Sequence, residues 1–260
     1  MSDNSQIFRE RFLRGDKMIG VFLKIAQTMP AEILGLLGYD FVVVDEEHGV
    51  FNRESTNSII LACRAHGIGC LVRVPNAETA NIQTVLDCGA DGVLVPHVDS
   101  VEKATALVSS ARYRSGTRGY SSTTRAGDFG GRTIAAHLDE QDNRATVIAM
   151  IEDPHALDVV DGILAVEGLD GAFIGRGDLT VAYGQTKPGS EPVRQATRKI
   201  IEAAVSSGKT ICVMTGKSDD AAELAGMGAT SFIVSSDQTL LRKAASSTLT
   251  EMRQTLAGKQ

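Results

Sequence analysis

Short apolar runs alternate with amphipathic stretches along the whole chain. Most of these runs are continuous and rich in valine, isoleucine and leucine, which is typical of parallel strands covered on both faces. They predict eight strands: Met18–Leu23, Phe41–Asp45, Cys70–Val74, Gly92–Pro96, Thr146–Glu152, Gly171–Gly175, Thr210–Met214 and Ser231–Ser235. Because the stretches between them have helical periodicity, the alternation predicts an α/β fold, a TIM (β/α)8 barrel that forms a single domain over residues 1–260.

Helix boundaries and a repeated turn support the barrel. Asn52 and Gly67 bracket one predicted helix, and Ser190, with Pro192 in the first turn, begins another. A glycine-led turn precedes every second strand, at Gly38-Tyr39-Asp40, Gly89-Ala90-Asp91, Gly168-Leu169-Asp170 and Gly228-Ala229-Thr230. Glycine supplies a left-handed helix stop at such turns. A doubly wound open sheet has similar turns, but no G-x-G-x-x-G fingerprint follows the first strand.

The amino-acid composition limits the possible binding partners and the cellular compartment of the protein. The 260 residues carry a formal net charge of −6, which argues against a nucleic-acid partner. No apolar run approaches the roughly 18 residues of a membrane span, and the first residues do not read as a signal peptide. The four cysteines have no C-x-x-C spacing, so we expect reduced core residues rather than disulfides or zinc ligands. The expected location is the cytoplasm.

One connection is much longer than the others. Arg112–Arg144 separates the fourth and fifth predicted strands. Such a segment is either a flexible surface excursion or a functional loop over the barrel mouth. The pattern alone leaves both interpretations open.

Two acidic side chains come at or just after the ends of neighbouring predicted strands. Glu152 ends the fifth strand, and Asp178 follows the sixth. Barrel enzymes place their catalytic groups at these carboxyl ends. A carboxylate there can simply cap the following helix, but two facing one mouth suit a hard divalent cation. We therefore predict a Mg²⁺ or Mn²⁺ site at Glu152 and Asp178.

Arg73 and His48 are the other candidates on this rim. Arg73 lies between two valines in a predicted buried strand, so it needs an anionic partner, and its fork suits a carboxylate or an enolate oxygen. An internal ion pair with Asp45 or Glu152 is the alternative. His48, three residues after Asp45, is a candidate base that this carboxylate would orient. His97 also follows a predicted strand, but fewer sequence features support a catalytic role for it.

These residues resemble the HpcH/HpaI aldolase family, the class II pyruvate aldolases similar to 4-hydroxy-2-oxoheptanedioate aldolase. The resemblance covers nearly the full length and rests on an ordered set of motifs: residues 38–48, 72–75, 89–96, 118–119, 151–152 and 173–179. It implies a barrel of the phosphoenolpyruvate/pyruvate type. It also implies reversible aldol cleavage of a 4-hydroxy-2-oxo acid to pyruvate and an aldehyde.

The resemblance assigns roles to individual residues. It implies that Glu152 and Asp178 bind Mg²⁺ or Mn²⁺, with Co²⁺ as a further option, and that pyruvate chelates this ion. Arg73 would stabilise the enolate oxygen, and the backbone at Gly177 and Asp178 would hold the substrate carboxylate. His48 would transfer the proton.

Two further implications concern a positioning residue and the assembly. The resemblance implies that Asp45 positions His48. It also implies a homo-oligomer, a hexamer or trimer of dimers, in which subunits exchange the final helix, here Asp237–Leu256.

The chain departs from the family pattern at two positions. Met150 replaces a usual glutamine and Arg176 replaces a frequent proline, so we expect Arg176 to place a cation beside the metal pair and to contact the substrate. Citrate-type condensation, β-keto acid decarboxylation and coenzyme A ester cleavage therefore stay open. So do Schiff-base catalysis at Lys24 and a non-catalytic barrel that binds an oxo acid.

Overall fold

Eight parallel strands close into a barrel in sequence order in this computed structural model, which describes residues 4–257. The strands are β1 (Met18–Leu23), β2 (Phe41–Asp45), β3 (Gly69–Arg73), β4 (Gly92–Val95), β5 (Thr146–Ile151), β6 (Gly171–Ile174), β7 (Thr210–Met214) and β8 (Ser231–Ser236). Every predicted strand is present with its ends displaced by one residue at most. The predicted barrel is confirmed.

Helices surround the barrel. They are α1 (Asn4–Arg14), α2 (Met29–Leu36), α3 (Arg53–His66), α4 (Thr79–Asp87), α5 (Val101–Ala111), α6 (Ile134–Arg144), α7 (Val160–Leu164), α8 (Arg176–Ala182), α9 (Glu191–Ser206), α10 (Ser218–Met227) and α11 (Asp237–Ala257), with 3₁₀ segments at Arg125–Gly130 and Pro154–Asp158. Asn52 caps α3 through its side chain, as predicted. Ser190 precedes α9, but its side chain makes no capping hydrogen bond. No helix within residues 4–257 is long and apolar enough to span a membrane.

Alternate residues of each strand face the barrel interior. Phe22, Val43, Leu71, Met150 and Phe173 belong to the inner apolar cluster. The period of two continues past them, so the next inward positions at the carboxyl ends are polar: Lys24, Asp45, Arg73 and Glu152. The strand period therefore delivers four ionisable side chains to one mouth of the barrel.

Helix α1 closes the opposite end. Its Phe8 ring lies 5.7 Å from the ring of Phe41, the first residue of β2, and Phe12 packs close to Gly171, the first residue of β6. Gly38, Gly89, Gly168 and Gly228 have φ values of +86°, +88°, +85° and +123°. The predicted left-handed glycine turns at this end are confirmed.

The long connection after α5 also lies at the amino-terminal end. Arg112 donates from Nη1 to the carbonyl of Ala145, which precedes β5, and from Nη2 to Asp170, which precedes β6. A helix-to-strand connection in a parallel barrel returns to this edge, so the interpretation as a loop over the mouth is wrong. The segment is a surface connection that contains a 3₁₀ turn and α6.

Candidate active site

Arg73 and Asp45 form a buried bidentate pair at the mouth. Arg73 Nε donates to Asp45 Oδ1 at 2.9 Å, and Nη2 donates to Oδ2 at 2.8 Å. Burial alone would raise the pKa of Asp45, but Arg73 and Lys24 hold this pKa below its ordinary value. The internal ion pair considered for Arg73 is therefore present. It leaves Nη1, which lies 3.8 Å from Met150 Sδ, as the donor that points toward β5.

Two further residues contact this pair. The sequence did not single out either of them for this role. Lys24 Nζ lies 2.6 Å from Asp45 Oδ2. Glu47 Oε2 lies 3.1 Å from Arg73 Nη1, although the two groups are not aligned for a hydrogen bond. The strand period was the signal for Lys24, which directly follows β1 and lies two residues after the inward-facing Phe22, whereas Glu47 lies in the turn after β2 and had no such signal.

His48 is held differently from the expectation. Asp45 Oδ1 accepts the backbone N–H of His48 at 3.2 Å, whereas the imidazole Nε2 lies 3.7 Å from Glu47 Oε2. Arg73 and Lys24 already occupy the Asp45 oxygens, so Asp45 fixes the loop of His48 rather than its ring. The His48 side chain is 58% exposed, at the edge of the mouth.

Glu152 and Asp178 meet on the other side of the mouth. Burial raises the pKa of Glu152 to about 8; a hydrogen bond from the His97 backbone opposes this shift, and the contacting Asp178 carboxyl adds to it. Glu152 Oε1 accepts the His97 backbone N–H at 2.9 Å, so Glu152 does not serve as a helix cap. A Cβ at Gly175 would collide with Glu152, so a glycine there lets the two strands bring their side chains together.

His97 is a site residue that the sequence supported only weakly. Its φ of +53° is in the left-handed region, which non-glycine residues seldom adopt. The ring Nδ1 lies 3.0 Å from Asp153 Oδ2 and 3.4 Å from Glu152 Oε1. Burial would lower the pKa of His97, but the carboxylates of Asp153, Glu152 and Glu47 raise it. Its backbone thus fixes one oxygen of the Glu152 carboxylate.

Arg176 faces away from the position that the sequence predicted. Its Nη1 donates to Asp220 Oδ2 at 2.6 Å, and its Nη2 donates to Asp220 Oδ1 at 3.1 Å and to the Pro188 carbonyl at 3.3 Å. The prediction that Arg176 supplies a cation beside the metal pair is therefore corrected. As the first residue of α8, Arg176 lies outside the strand period and turns toward α10.

The carboxyl pair fits a divalent cation. The Asp178 carboxyl contacts Glu152 and helps to raise its pKa. A hard cation prefers carboxylate oxygens as ligands and would displace the proton from Glu152. Among residues 4–257, no set of three or more histidine, cysteine, aspartate or glutamate side chains forms a complete metal cage. Substrate and water oxygens would have to complete the coordination of an ion held by these two carboxylates.

Comparison with known proteins identifies relatives over the full barrel. The family model described as HpcH/HpaI aldolase/citrate lyase matches residues 18–244. A protein named 5-keto-4-deoxy-D-glucarate aldolase from Enterobacter sp. (strain 638) is 33% identical over 239 residues, which cover 91% of this chain and 93% of the relative.

Solved structures agree with this family assignment. The crystal structure of citrate synthase SbnG superposes with a TM-score of 0.87 at 30% identity and covers 95% of this chain and 97% of that one. An HpcH/HpaI aldolase/citrate lyase family protein from Burkholderia cenocepacia J2315 has a TM-score of 0.90 at 26% identity, covering 95% and 99%. The chain belongs to the HpcH/HpaI aldolase/citrate lyase family and is a carbon–carbon lyase.

Proposed function

We propose that this enzyme is a divalent-metal-dependent class II aldolase that cleaves or forms a 4-hydroxy-2-oxo acid, with pyruvate and an aldehyde as the cleavage products. The observation that carries the proposal is the contact between the buried Glu152 carboxyl and the exposed Asp178 carboxyl, which share the mouth with the Arg73 guanidinium. The relatives named 5-keto-4-deoxy-D-glucarate aldolase support a substrate of this class.

Glu152 and Asp178 would hold the ion, with Mg²⁺, Mn²⁺ or Co²⁺ as candidates. When bound, such an ion supplies Lewis-acid polarisation of a substrate oxygen. A Cβ at Gly177 would meet no atom within 4 Å, so its backbone borders open space where a substrate carboxylate fits. The backbone N–H groups of Gly177 and Asp178 are the donors that we assign to this carboxylate.

Arg73 stabilises the negative charge that develops on the former keto oxygen. Asp45 holds Nε and Nη2 of the guanidinium and thereby directs Nη1 toward the β5 side of the mouth. A donor fixed in this way needs no reorganisation when charge develops, and loss of one such donor typically costs about 100- to 1000-fold in rate.

His48 transfers the proton. In the cleavage direction it removes the proton from the C4 hydroxyl as the C3–C4 bond breaks, which releases the aldehyde and leaves the enolate of pyruvate. Protonation at C3 then gives pyruvate. Glu47, 3.7 Å from the imidazole, is the carboxylate that we assign to orient the ring, while Asp45 fixes the His48 backbone.

A panel of aldehydes with pyruvate and Mn²⁺ or Mg²⁺ tests this function. We expect carbon–carbon bond formation by the wild type, and losses of at least 100-fold for Glu152→Gln and for Arg73→Ala. Glu102→Gln, an exposed acid on α5, is the matched control and should retain full activity. Aldol products that form equally well with Glu152→Gln would exclude the proposed site.

Citrate-type condensation is the second candidate, favoured by the 30% identity to citrate synthase SbnG over 95% of the chain. A coenzyme A thioester would then be the enolate donor. Saturable binding of acetyl-CoA, with turnover of this thioester in place of pyruvate, would favour this candidate over the aldolase.

We further propose a homo-oligomer, a hexamer or trimer of dimers, that uses the final helix. The 21 residues of α11 expose Leu241, Leu249, Met252 and Leu256, an apolar set that an isolated subunit leaves in water. Light scattering after chromatography should give a multiple of 27.6 kDa, and removal of residues 241–260 should reduce it. A full-length monomer would contradict this proposal.

A further inference from the structure

Lys24 is a cation at the mouth whose backbone is held by the first residue of α11. The N–H groups of Lys24 and Ile25 donate to the two carboxylate oxygens of Asp237, each at 3.0 Å. Leu23 is the last residue of β1 that pairs with β2, so these two N–H groups lie beyond the strand ladder and need another acceptor. Asp237 therefore extends the ordered backbone of β1 to the residue that carries the ammonium.

Asp237 also attaches α11 to the barrel. It is the one buried residue of Asp237–Ala257 and is 7% exposed. Its Oδ1 also accepts the N–H of Gln238 at 2.7 Å, in the first turn of the helix. One carboxylate thus joins the start of α11 to the segment that follows β1. A displacement of either segment therefore disturbs the other.

The Lys24 ammonium balances the carboxylates of the mouth. Lys24 Nζ lies 2.6 Å from Asp45 Oδ2. Arg73 binds Asp45 through two hydrogen bonds, and its Nη1 lies 3.1 Å from Glu47 Oε2. These contacts join two cations and two carboxylates in one cluster. Without Lys24 the other three groups carry a net negative charge, which opposes the negative charge of a forming enolate.

We infer that Asp237 is a positioning residue that acts through Lys24 on enolate formation and so couples the mouth to the first turn of α11. The inference rests on the proposed function for the enolate and for the role of Arg73. At an effective protein dielectric of about 20, a unit charge roughly 10 Å from the enolate changes its stability by on the order of 10-fold. Because Asp237 acts through Lys24, its loss should lower the rate only where the ammonium is present.

A double-variant cycle on the exchange of pyruvate methyl protons with deuterium tests this coupling. At saturating Mn²⁺ and pyruvate, we expect Lys24→Met and Asp237→Asn each to lower the exchange rate roughly 10-fold. The double variant Asp237→Asn/Lys24→Met should fall no more than about twofold below Lys24→Met, because no ammonium is left to misplace. A loss of stability alone would lower the rate in both backgrounds.

Asp142→Asn is the matched control. Asp142 in α6 also binds two consecutive backbone N–H groups with its two oxygens, those of Tyr113 at 2.7 Å and of Arg114 at 2.9 Å. These contacts lie in the long connection at the opposite end of the barrel. Asp142→Asn should therefore lower the melting temperature, as Asp237→Asn does, but keep the exchange rate of the wild type.

Labelling of lysines with acetic anhydride, followed by mass spectrometry, reports the position of Lys24 without turnover. The Lys24 side chain is 24% exposed and paired with Asp45, so it should react slowly in the wild type. Asp237→Asn should raise its labelling rate relative to Lys103, an exposed rim lysine, whereas Asp142→Asn should not.

Each outcome decides for or against the inference. Equal losses from Asp237→Asn with and without the Lys24 ammonium would overturn it, and so would unchanged labelling of Lys24. Trapping of pyruvate on Lys24 by borohydride would overturn it in favour of Schiff-base catalysis. Faster Lys24 labelling in Asp237→Asn, when the wild type shows no metal-dependent exchange, would support the positioning of Lys24 by Asp237 while refuting the proposed function.

Discussion

At the scale of single residues, Asp45 organises one side of the mouth. Its fully buried carboxylate binds Arg73 through two hydrogen bonds, contacts Lys24 and accepts the backbone N–H of His48. A buried charge is stable only when it is paired and hydrogen-bonded. Asp45 therefore anchors the Arg73 and Lys24 side chains and the backbone of the His48 loop, and need not itself contact the substrate.

Breaking this pair from either side should destabilise the fold. We expect Arg73→Met to reduce the free energy of unfolding by about 3 kcal/mol, because Asp45 keeps only Lys24 as a cationic partner. The double variant Arg73→Met/Asp45→Asn should lose less than the sum of the two single variants. Urea unfolding of the four proteins measures this coupling. Strict additivity would show that the two side chains do not interact energetically.

Glu152 predicts a proton-linked metal affinity. Its pKa of about 8 in the metal-free protein means that the carboxyl is mostly protonated at pH 7, and a cation must displace this proton. Mn²⁺ affinity should therefore rise as the pH increases toward 8 and level off above it. Calorimetry at pH 7 in buffers of different ionisation enthalpy should detect about one proton released per Mn²⁺. Affinity that stays constant from pH 6 to pH 8 would refute the raised pKa.

At the scale of elements, the first turn of α8, which carries Asp178, is linked to α10. Asp178 lies two residues after Arg176, and Arg176 holds Asp220 through two hydrogen bonds. Thr215, which follows β7, donates to the same Asp220 at 2.6 Å. The Asp220 carboxylate thus links α8, the segment after β7 and α10.

Loss of this link should loosen the metal site without removing a ligand. We expect Arg176→Met to weaken Mn²⁺ binding by about 10-fold, the effect typical of residues that orient metal ligands. Arg114→Met is the matched control, because it breaks an exposed ion pair with Asp139 in the long connection at the opposite end of the barrel. Electron paramagnetic resonance of free Mn²⁺ measures the Mn²⁺ affinity of both variants. Equal Mn²⁺ affinities for the wild type and Arg176→Met would show that the Arg176–Asp220 link does not support Mn²⁺ binding.

At the scale of the whole molecule, the period of two along the strands explains which parts of the site were predictable. Asp45, Arg73 and Glu152 extend inward positions of strands, so their convergence follows from the barrel itself. Arg176 and the His48 ring lie beyond the strands, where no period determines direction. Their contacts depend on Asp220 and Glu47, partners brought together only by the fold. The motifs locate the family and the carboxyl pair of Glu152 and Asp178, whereas the loops determine which additional charges reach the mouth.

The most direct test of the central claim is exchange of the pyruvate methyl protons with deuterium, followed by NMR. We expect exchange by the wild type that stops with EDTA, returns with Mn²⁺ or Mg²⁺, and falls at least 100-fold in Glu152→Gln. This measurement needs no knowledge of the aldehyde, because it reports enolate formation alone. Exchange that persists in EDTA, or that Glu152→Gln supports as well as the wild type, would contradict a metal site at Glu152 and Asp178.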